Sequence, residues 1–469
     1  MVIPRRREIP NRRWKPATPR KGTDTERRIA AVPWPTVKSG WEKIDFGQLS
    51  IRLEFPPGVF FGRTDNMSLI RHDENSIEEV LAAFKQGEIV IVVDDHRREN
   101  EGDLVVAAEK ATPEAINFMA KHGRGLICVP MERKQIEQVG LSRMTTSGRG
   151  DSYSTAFMES VDAAAGITTG ISAQDRALAV AALIDDDSTP TSIVRPGHMF
   201  PLEAAENGVF KRAGHTEATV DLARICGFKP AGVCCEIMRE DGDMARGSEL
   251  DEFAARHGLK MISIDSIASY RKMNENLVKL EKKVKLPTPF GMFEMNLYHS
   301  IPEDEHHIAL VMGAPDKEDQ PLVRMHSECL TGDVFGSMRC DCGSQLHDAM
   351  RKIGERGVGA LLYMRQEGRG IGLKHKIHAY ALQDEGMDTV DANTELGFDP
   401  DMRDYCAAAQ MLKKLGIDNL ELMTNNPEKV AGLEKYGITI ARRSAIVIDP
   451  GSYNEFYLET KKKRLGHLL

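Results

Sequence analysis

The run Ile89-Val90-Ile91-Val92-Val93 is continuous rather than alternating in hydrophobicity, and it ends in Asp94-Asp95. A β-branched run with no polar position reads as a strand buried on both faces, whose C-terminal end delivers acids to a site. Ala360-Leu361-Leu362-Tyr363-Met364 has the same character and leads into Arg365-Gln366-Glu367-Gly368-Arg369-Gly370, which predicts a second buried strand left through a glycine-rich turn. A shorter strand is expected at Glu421-Leu422-Met423, followed by Thr424-Asn425-Asn426-Pro427. Pro427 suits the first position of a helix, where its missing N–H would have no partner anyway. Apolar residues recur at helical spacing over 76–85 and 346–356, and 216–225 reads as a helix opening beside His215. Strand runs and amphipathic helices in both halves predict an α+β (α/β layered) chain of two domains, each a mixed β-sheet covered by helices.

Periodicity is weak over residues 1–66, which hold Arg5-Arg6-Arg7, Arg12-Arg13, several prolines and all three tryptophans. Such a segment does not build a core alone and is expected to be a disordered or spurious extension ahead of a true start at Met67. Its arginines also admit an organelle (plastid) targeting role, which its acidic residues and low serine content argue against. The domains are expected at 67–272 and 273–469, joined through the polar, lysine-rich stretch 270–285. Pro287 and Pro289 end any helix there, so the second domain is expected to open with the strand that follows.

At 469 residues and 41% hydrophobic content the chain can bury two cores of ordinary size. A net charge of −8 argues against a general nucleic-acid binder. Eight unevenly spaced cysteines suit a reducing cytoplasm better than a disulfide framework. No apolar run reaches the roughly 18 residues that a membrane span needs.

Three of those cysteines, Cys329, Cys340 and Cys342, fall within one short stretch. Three thiolates would leave tetrahedral zinc one open position, which distinguishes a catalytic zinc from a structural one. Arg324, His326, Glu328 and Asp333 nearby suit an anionic substrate, although buried thiols also occur simply as small hydrophobes. The glycine-rich turn could bring backbone N–H groups, Arg365 and Arg369 toward a phosphate, or be an ordinary strand-to-helix turn, and the helix start at Pro427 with Lys429 reads either as a second anion site or as plain helix capping. In the front half, Arg97-Arg98-Glu99-Asn100-Glu101-Gly102-Asp103 follows the first strand as a charged loop. It supplies oxygen ligands for Mg²⁺ and guanidinium forks for a phosphate, or else it is solvated surface. Arg195-Pro196-Gly197-His198, the stretch from Arg212 to Ala218, and Gly232 to Ile237 carry further candidates.

From about Leu286 to Ile448, the cysteine cluster, the glycine-rich turn, Asp401-Met402-Arg403-Asp404-Tyr405 and the Asn-Asn-Pro segment together resemble GTP cyclohydrolase II. The resemblance implies a zinc enzyme that opens the guanine imidazole ring of GTP, releasing formate and pyrophosphate, with Mg²⁺ accompanying the nucleotide. It implies Cys329, Cys340 and Cys342 as zinc ligands. It implies Arg324, Met325, His326, Ser327, Glu328, Gln345, Glu367, Gly368, Arg369, Thr389, Thr424 and Lys429 as GTP contacts. Tyr380 matches a catalytic tyrosine, Asp401 the proton acceptor, and Arg403 a nucleophile on the α-phosphate. A guanidinium with a pKa above roughly 12 suits a phosphate clamp better than a nucleophile.

From about Asn75 to Lys272 the chain resembles 3,4-dihydroxy-2-butanone 4-phosphate synthase, which converts ribulose 5-phosphate to the butanone phosphate and formate. That likeness implies Glu99 and His215 as ligands of Mg²⁺ or Mn²⁺. Arg98, Glu99, Asp103, Arg212, Ala213, Gly214, His215, Thr216 and Glu236 become substrate contacts. His198 and Glu236 become catalytic, as proton shuttles. Residues 144–151 depart from the Asn-rich loop usual in that family. The whole resembles the bifunctional enzymes of riboflavin biosynthesis, which implies a homodimer acting on small molecules, with neither nucleic acid nor membrane as partner. The alternative is a metal-stabilised nucleotide-binding protein with one or both sites dead. Retention of Glu99, His198, His215 and Glu236, with Tyr380, Asp401 and Arg403, argues for an enzyme.

Overall fold

The computed structural model describes residues 75–144, 155–399, 401–448, 454–464 and 466–468, all within one compact unit, Ser68–Leu469. The expectations for 1–66, for a start at Met67 and for the loop 145–151 lie outside the described residues.

The front half is built on a seven-stranded sheet of order β4-β5-β3-β6-β2-β1-β7. Its strands are β1 Val90–Val93, β2 Gly102–Ala107, β3 Cys128–Met131, β4 Val161–Ala163, β5 Ile193–Glu203, β6 Gly232–Glu236 and β7 Lys260–Ser263. Pairs β1–β7 and β3–β5 are parallel and the rest antiparallel, so the sheet is mixed as expected. The continuous apolar character of β1 follows from burial on both faces. Ile91 and Val93 pack with Leu104, Val180 and Leu183, while Val90 and Val92 pack with Val80, Phe84, Ala218 and Leu222. Fully burying each such side chain is worth about 1.5–3 kcal/mol before entropic costs. The helix Ile77–Gln86 covers one face, closed at its start by a Ser76/Glu79 capping box and at its end by left-handed Gly87.

The charged segment after β1 is shorter than expected. Asp103 stands on β2, opposite Val92, because the apolar residues Leu104 to Ala107 pull the chain back into the sheet at Gly102. A loop therefore spans only 94–101.

The second sheet also has seven strands, in the order β14-β13-β11-β12-β10-β9-β8. These are β8 Val278–Thr288, β9 Gly291–Ser300, β10 Glu305–Met312, β11 Leu322–Ser327, β12 Gly359–Met364, β13 Asn419–Met423 and β14 Thr439–Ser444. β11 runs parallel to both β12 and β13, so all three deliver their C-terminal ends to one edge. The segments after them are the cysteine cluster, the glycine-rich turn and the Asn-Asn-Pro turn. Carboxyl ends of parallel strands are where open α/β sheets bind ligands.

The expected lysine-rich linker at 270–285 is not one. A helix holds Ile264–Asn274 and β8 begins at Val278, leaving 275–277 as the connection. β8 is an edge strand, where exposed lysines discourage pairing with other chains and Pro287 is tolerated. An edge strand needs no apolar alternation, which is why its sequence reads as a loop. Among the described residues, no helix is long and apolar enough to cross a membrane.

Candidate active sites

In the front half the turn after β1 is organised by Asp94, one of the two acids that end the strand run in the sequence. Its Oδ1 accepts the Glu101 N–H at 2.8 Å, and its Oδ2 accepts the Glu99 N–H at 2.9 Å and Arg98 Nη1 at 3.0 Å. Asn100 takes a left-handed conformation (φ 55) to make the turn. The Glu99 carboxylate is thereby aimed at the helix His215–Ile225, whose first residue is buried. His215 Nδ1 lies 3.6 Å from Glu99 Oε2 and 3.8 Å from Asp103 Oδ1, and its Nε2 is buried with no partner. Burial pushes the imidazole pKa down, but Asp103, Glu99 and Asp94 outweigh it and carry the group up to about 9. The negative field that draws a proton there is the field that would hold a divalent cation. An ion about 2.0–2.6 Å from each ligand atom fits between a nitrogen and an oxygen at this separation.

Glu236, at the end of β6, pairs across the sheet with Asp103 and accepts the Leu126 N–H at 2.8 Å. Burial, and then Asp103, push its carboxyl up to about 7. His198 on β5 is paired with Asp162, from backbone N to Oδ1 at 2.9 Å and from Nδ1 to Oδ2 at 2.8 Å, rather than with the Glu99–His215 cluster. Asp162 is a residue that the sequence reading passed over. Arg212 reaches Glu217 Oε2 at 2.6 Å and Thr155 Oγ1 at 2.9 Å, over the first turn of the helix that Gly214 caps and Thr216 continues. A Cβ on Gly214 would lie 2.2 Å from Arg212 Nη1, so the glycine lets the guanidinium lie across the turn.

In the back half Cys329 follows β11, while Cys340 and Cys342 come from the turn into the helix Cys342–Arg356. Cys329 Sγ and Cys340 Sγ are 3.6 Å apart, and the three sulfurs lie within 4.8 Å of one another. Zinc–sulfur bonds of about 2.3 Å in a tetrahedron separate sulfurs by about 3.8 Å, so the trio fits zinc. Gly332 makes the convergence possible: a Cβ there would stand 2.9 Å from Cys340 Sγ and 3.2 Å from Cys329 Sγ. Asp333 fixes the Cys329 loop by accepting the Cys329 N–H at 3.0 Å and the Tyr363 hydroxyl at 2.9 Å while contacting His326 Nε2 at 3.0 Å. His326 thus holds this loop through Nε2, while it lines the cavity and its buried Nδ1 has no partner.

Lys376, like Asp162, is a residue that sequence reasoning missed. Its buried ammonium donates to Glu367 Oε1 at 2.7 Å, Thr331 Oγ1 at 3.0 Å and Cys329 Sγ at 3.1 Å. Thr331 Oγ1 in turn lies 3.2 Å from the Tyr380 hydroxyl. Hydrogen bonds from the Cys340 and Cys342 thiols, and then Lys376, hold the Cys329 thiol far below its usual range. Cys340 is pushed up to about 11 because Cys329 already carries the charge. The spacing of Lys376 and Tyr380, one turn apart on the helix Gly372–Asp384, was the available signal.

Glu367 also accepts the Leu330 N–H at 2.6 Å, held by a turn in which Gly368 and Arg369 are left-handed (φ 62 and 63). Arg324 is buried, donating to Met423 O at 2.9 Å and Gln345 Oε1 at 2.8 Å, and Gln345 Nε2 donates to Asp341 Oδ2 at 2.6 Å. Lys429 donates to Met325 O at 2.8 Å, and Arg403 grips Asp401 through Nε at 2.8 Å. A cavity of about 430 Å³ is lined by the three cysteines together with Glu367, Tyr380, Arg403, Thr389 and Thr424 among others, a size ordinary for small-molecule sites. Ser327 and Glu328 also line it, whereas the Met325 side chain is in the core and offers the site only its backbone.

Residues 78–270 match the model of the 3,4-dihydroxy-2-butanone 4-phosphate synthase family, and residues 279–445 match that of GTP cyclohydrolase II. The riboflavin biosynthesis protein RibBA of Bacillus subtilis (strain 168) is 54% identical over 394 residues, covering 84% of this chain and 98% of that protein. The chain belongs to the RibBA family. It is a bifunctional enzyme of riboflavin biosynthesis, a lyase joined to a hydrolase. The RibBA of Aquifex aeolicus (strain VF5) is 53% identical over 398 residues, again 84% of this chain and 98% of that protein. Among solved structures, RibBX from A. baumannii, described as a two-domain 3,4-dihydroxy-2-butanone 4-phosphate synthase, superposes with a TM-score of 0.57 at 35% identity. That superposition covers 80% of this chain and 100% of RibBX. The cyclohydrolase match begins at 279 rather than near Leu286 because β8 belongs to that domain.

Proposed function

We propose that the Glu99–Asp103–His215–Glu236 cluster converts D-ribulose 5-phosphate to 3,4-dihydroxy-2-butanone 4-phosphate and formate. Glu99 and His215 would hold Mg²⁺ or Mn²⁺, which when bound polarises substrate oxygens as a Lewis acid. Glu236, with a carboxyl poised near neutrality, suits proton transfer during enolisation and rearrangement. His198, oriented by Asp162, is the second proton carrier in this reading. Arg98 and Arg212, with the backbone of Ala213 and Gly214 and the Thr216 turn, offer donors for the phosphate.

The cysteine trio and its cavity, in the same reading, hydrolyse GTP to a diaminopyrimidinone ribosyl phosphate with release of formate and pyrophosphate. Cys329, Cys340 and Cys342 would hold zinc, which supplies a Lewis acid with one open position. In this reading Glu367 and Gln345 read the guanine edge, and Tyr380, beside Thr331 and Lys376, takes part in proton transfer. Arg403, locked to Asp401, clamps the α-phosphate, while Arg369 and Lys429 face the phosphates, with Mg²⁺ accompanying the nucleotide. A homodimer belongs to the same proposal, as does a reducing cytoplasm, which eight free thiols suit.

The observation that carries the assignment is convergence. Three sulfurs within 4.8 Å of one another stand beside a nucleotide-sized cavity at the carboxyl edge of parallel strands. Formate release measured separately with ribulose 5-phosphate plus Mg²⁺, and with GTP plus Zn²⁺ and Mg²⁺, tests it. Both substrates should yield formate, and silence with either one removes that half of the proposal.

A further inference from the structure

The cyclohydrolase match ends at residue 445, yet the chain continues into the helix Glu455–Arg464 and a short tail. This segment adds nothing to the sheet. It is instead fastened at three separate places around the cavity. Lys461 Nζ donates to Asp341 Oδ1 at 2.8 Å, on the residue between Cys340 and Cys342. Arg464 pairs with Asp388 and, at 2.9 Å, with Asp391, the cap and first turn of the helix Thr389–Glu395. The Leu468 N–H donates to Asn425 O at 2.9 Å, in the turn after β13. The His467 N–H donates to Lys461 O at 3.1 Å, folding the tail back on its own helix.

These anchors belong to three different walls of one cavity, and Lys461 and His467 both line it. Arg369, Arg403 and Lys429 line it as well. Lys429 is buried and donates to a main-chain carbonyl, and burial, then Arg324 and Arg403, push its pKa well down, so an anion in the cavity would favour its charged form. Burial, and then Lys461, Arg403, Arg369 and Lys429, push the His467 imidazole down to about 3, so it faces the cavity neutral, able to donate one hydrogen bond without adding charge.

We infer that residues 454–464 and 466–468 form a strap that completes the nucleotide pocket, with Lys461 and His467 as further contacts to the polyphosphate of GTP. The inference rests on the reading of this cavity as the GTP site. It implies that the cyclohydrolase site is finished by residues beyond the sheet and its motif loops.

The test uses the full-length double variant K461M/H467A alongside a chain ending at residue 453, each with its zinc content and its ribulose 5-phosphate activity as folding controls. The double variant is expected to raise KM for GTP about tenfold or more, the loss expected for two charge-assisted or buried contacts. Competition by GMP, which lacks the outer phosphates, should change by less than about twofold. The truncated chain should show the same KM defect with its zinc retained. A KM for GTP within about twofold of the intact chain in both variants overturns the strap, and so does a faster truncated chain, which would make the segment an inhibitor. Equal losses for GTP and GMP would overturn the polyphosphate assignment. Silence of the intact chain toward GTP is a different failure, because it removes the pocket reading itself.

Discussion

Lys376 places one positive charge among Cys329, Glu367 and Thr331, all within 3.1 Å, in a site where three thiolates on a dication would leave a net negative charge. Lys376→Met would strand a buried carboxylate and a sulfur, and breaking such pairs costs about 3–5 kcal/mol. GTP hydrolysis is expected to fall by about 100-fold or more, with ribulose 5-phosphate turnover unchanged. Because the ammonium touches the Cys329 sulfur, the sulfur-to-cobalt charge-transfer bands of cobalt-substituted protein should also shift if that sulfur is a ligand. Unchanged bands would leave Lys376 a merely structural residue. A second residue-scale expectation concerns pH. Glu236 has its pKa raised from 4.5 to about 7, and His215 from 6.5 to about 9. Both protonated forms are favoured by the fold, so both contributions are complete below the unfolded values and are lost as pH climbs through the folded ones. Metal-free protein should therefore lose thermal stability between about pH 5 and 9, and Glu236→Gln should flatten the lower part of that slope. Binding a divalent cation must displace the His215 proton, so stabilisation by Mg²⁺ should grow from pH 7 to 9. Melting curves with and without Mg²⁺ check this, and Mg²⁺ stabilisation that does not vary with pH would contradict it. The cysteines were legible because their spacing is unusual, whereas Glu99 and His215 came as a pair only with the resemblance to the synthase family. Lys376 and Asp162 were not legible, because a lone Lys or Asp in sequence looks the same whether it is solvated or buried beside a site.

At the scale of elements, each site is set by a short turn that tolerates little added volume. Gly332→Ala would put a methyl group 2.9 Å from Cys340 Sγ and 3.2 Å from both Cys329 Sγ and Cys342 Cβ, spreading the sulfurs. Its zinc affinity is expected to drop about tenfold or more, read by competition with a chromogenic chelator, while the synthase half keeps its rate. Zinc retention equal to that of the parent chain would show that the loop relaxes freely. The buried strands and amphipathic helices were legible because burial on one or two faces writes a period into the sequence. Two elements were misread for physical reasons. β8 carries Lys279, Lys282, Lys283 and Lys285 because a sheet edge faces water, and that pattern matches a linker. The start of β2 was read as loop because Glu101-Gly102-Asp103 is polar, yet Asp103 is carried into the sheet, nearly fully buried, by the apolar residues after it.

At the scale of the whole molecule, the two activities rest on two sheets, each with its own cores, so the halves should be separable if the cut respects β8. Leu277 and Val278 are buried in the core beneath the second sheet, and the Leu277 N–H donates to Gln410 Oε1 at 2.8 Å. Gln410 Nε2 also donates to Glu275 O at 2.9 Å. A back-half fragment beginning at residue 273 keeps these contacts. One beginning at residue 286 loses most of an edge strand and exposes β9, whose Phe293 and Tyr298 are fully buried in the intact chain. An exposed apolar edge is an aggregation site. The longer fragment is expected to be well behaved, to bind zinc and to release formate from GTP. The shorter one is expected to aggregate or to melt earlier, since removing two buried aliphatic side chains costs about 4 kcal/mol or more. Light scattering and zinc content of the two fragments decide it. Equal behaviour would mean that β8 is an accessory of the sheet and that the domain begins after it, where the prolines alone would have put the boundary.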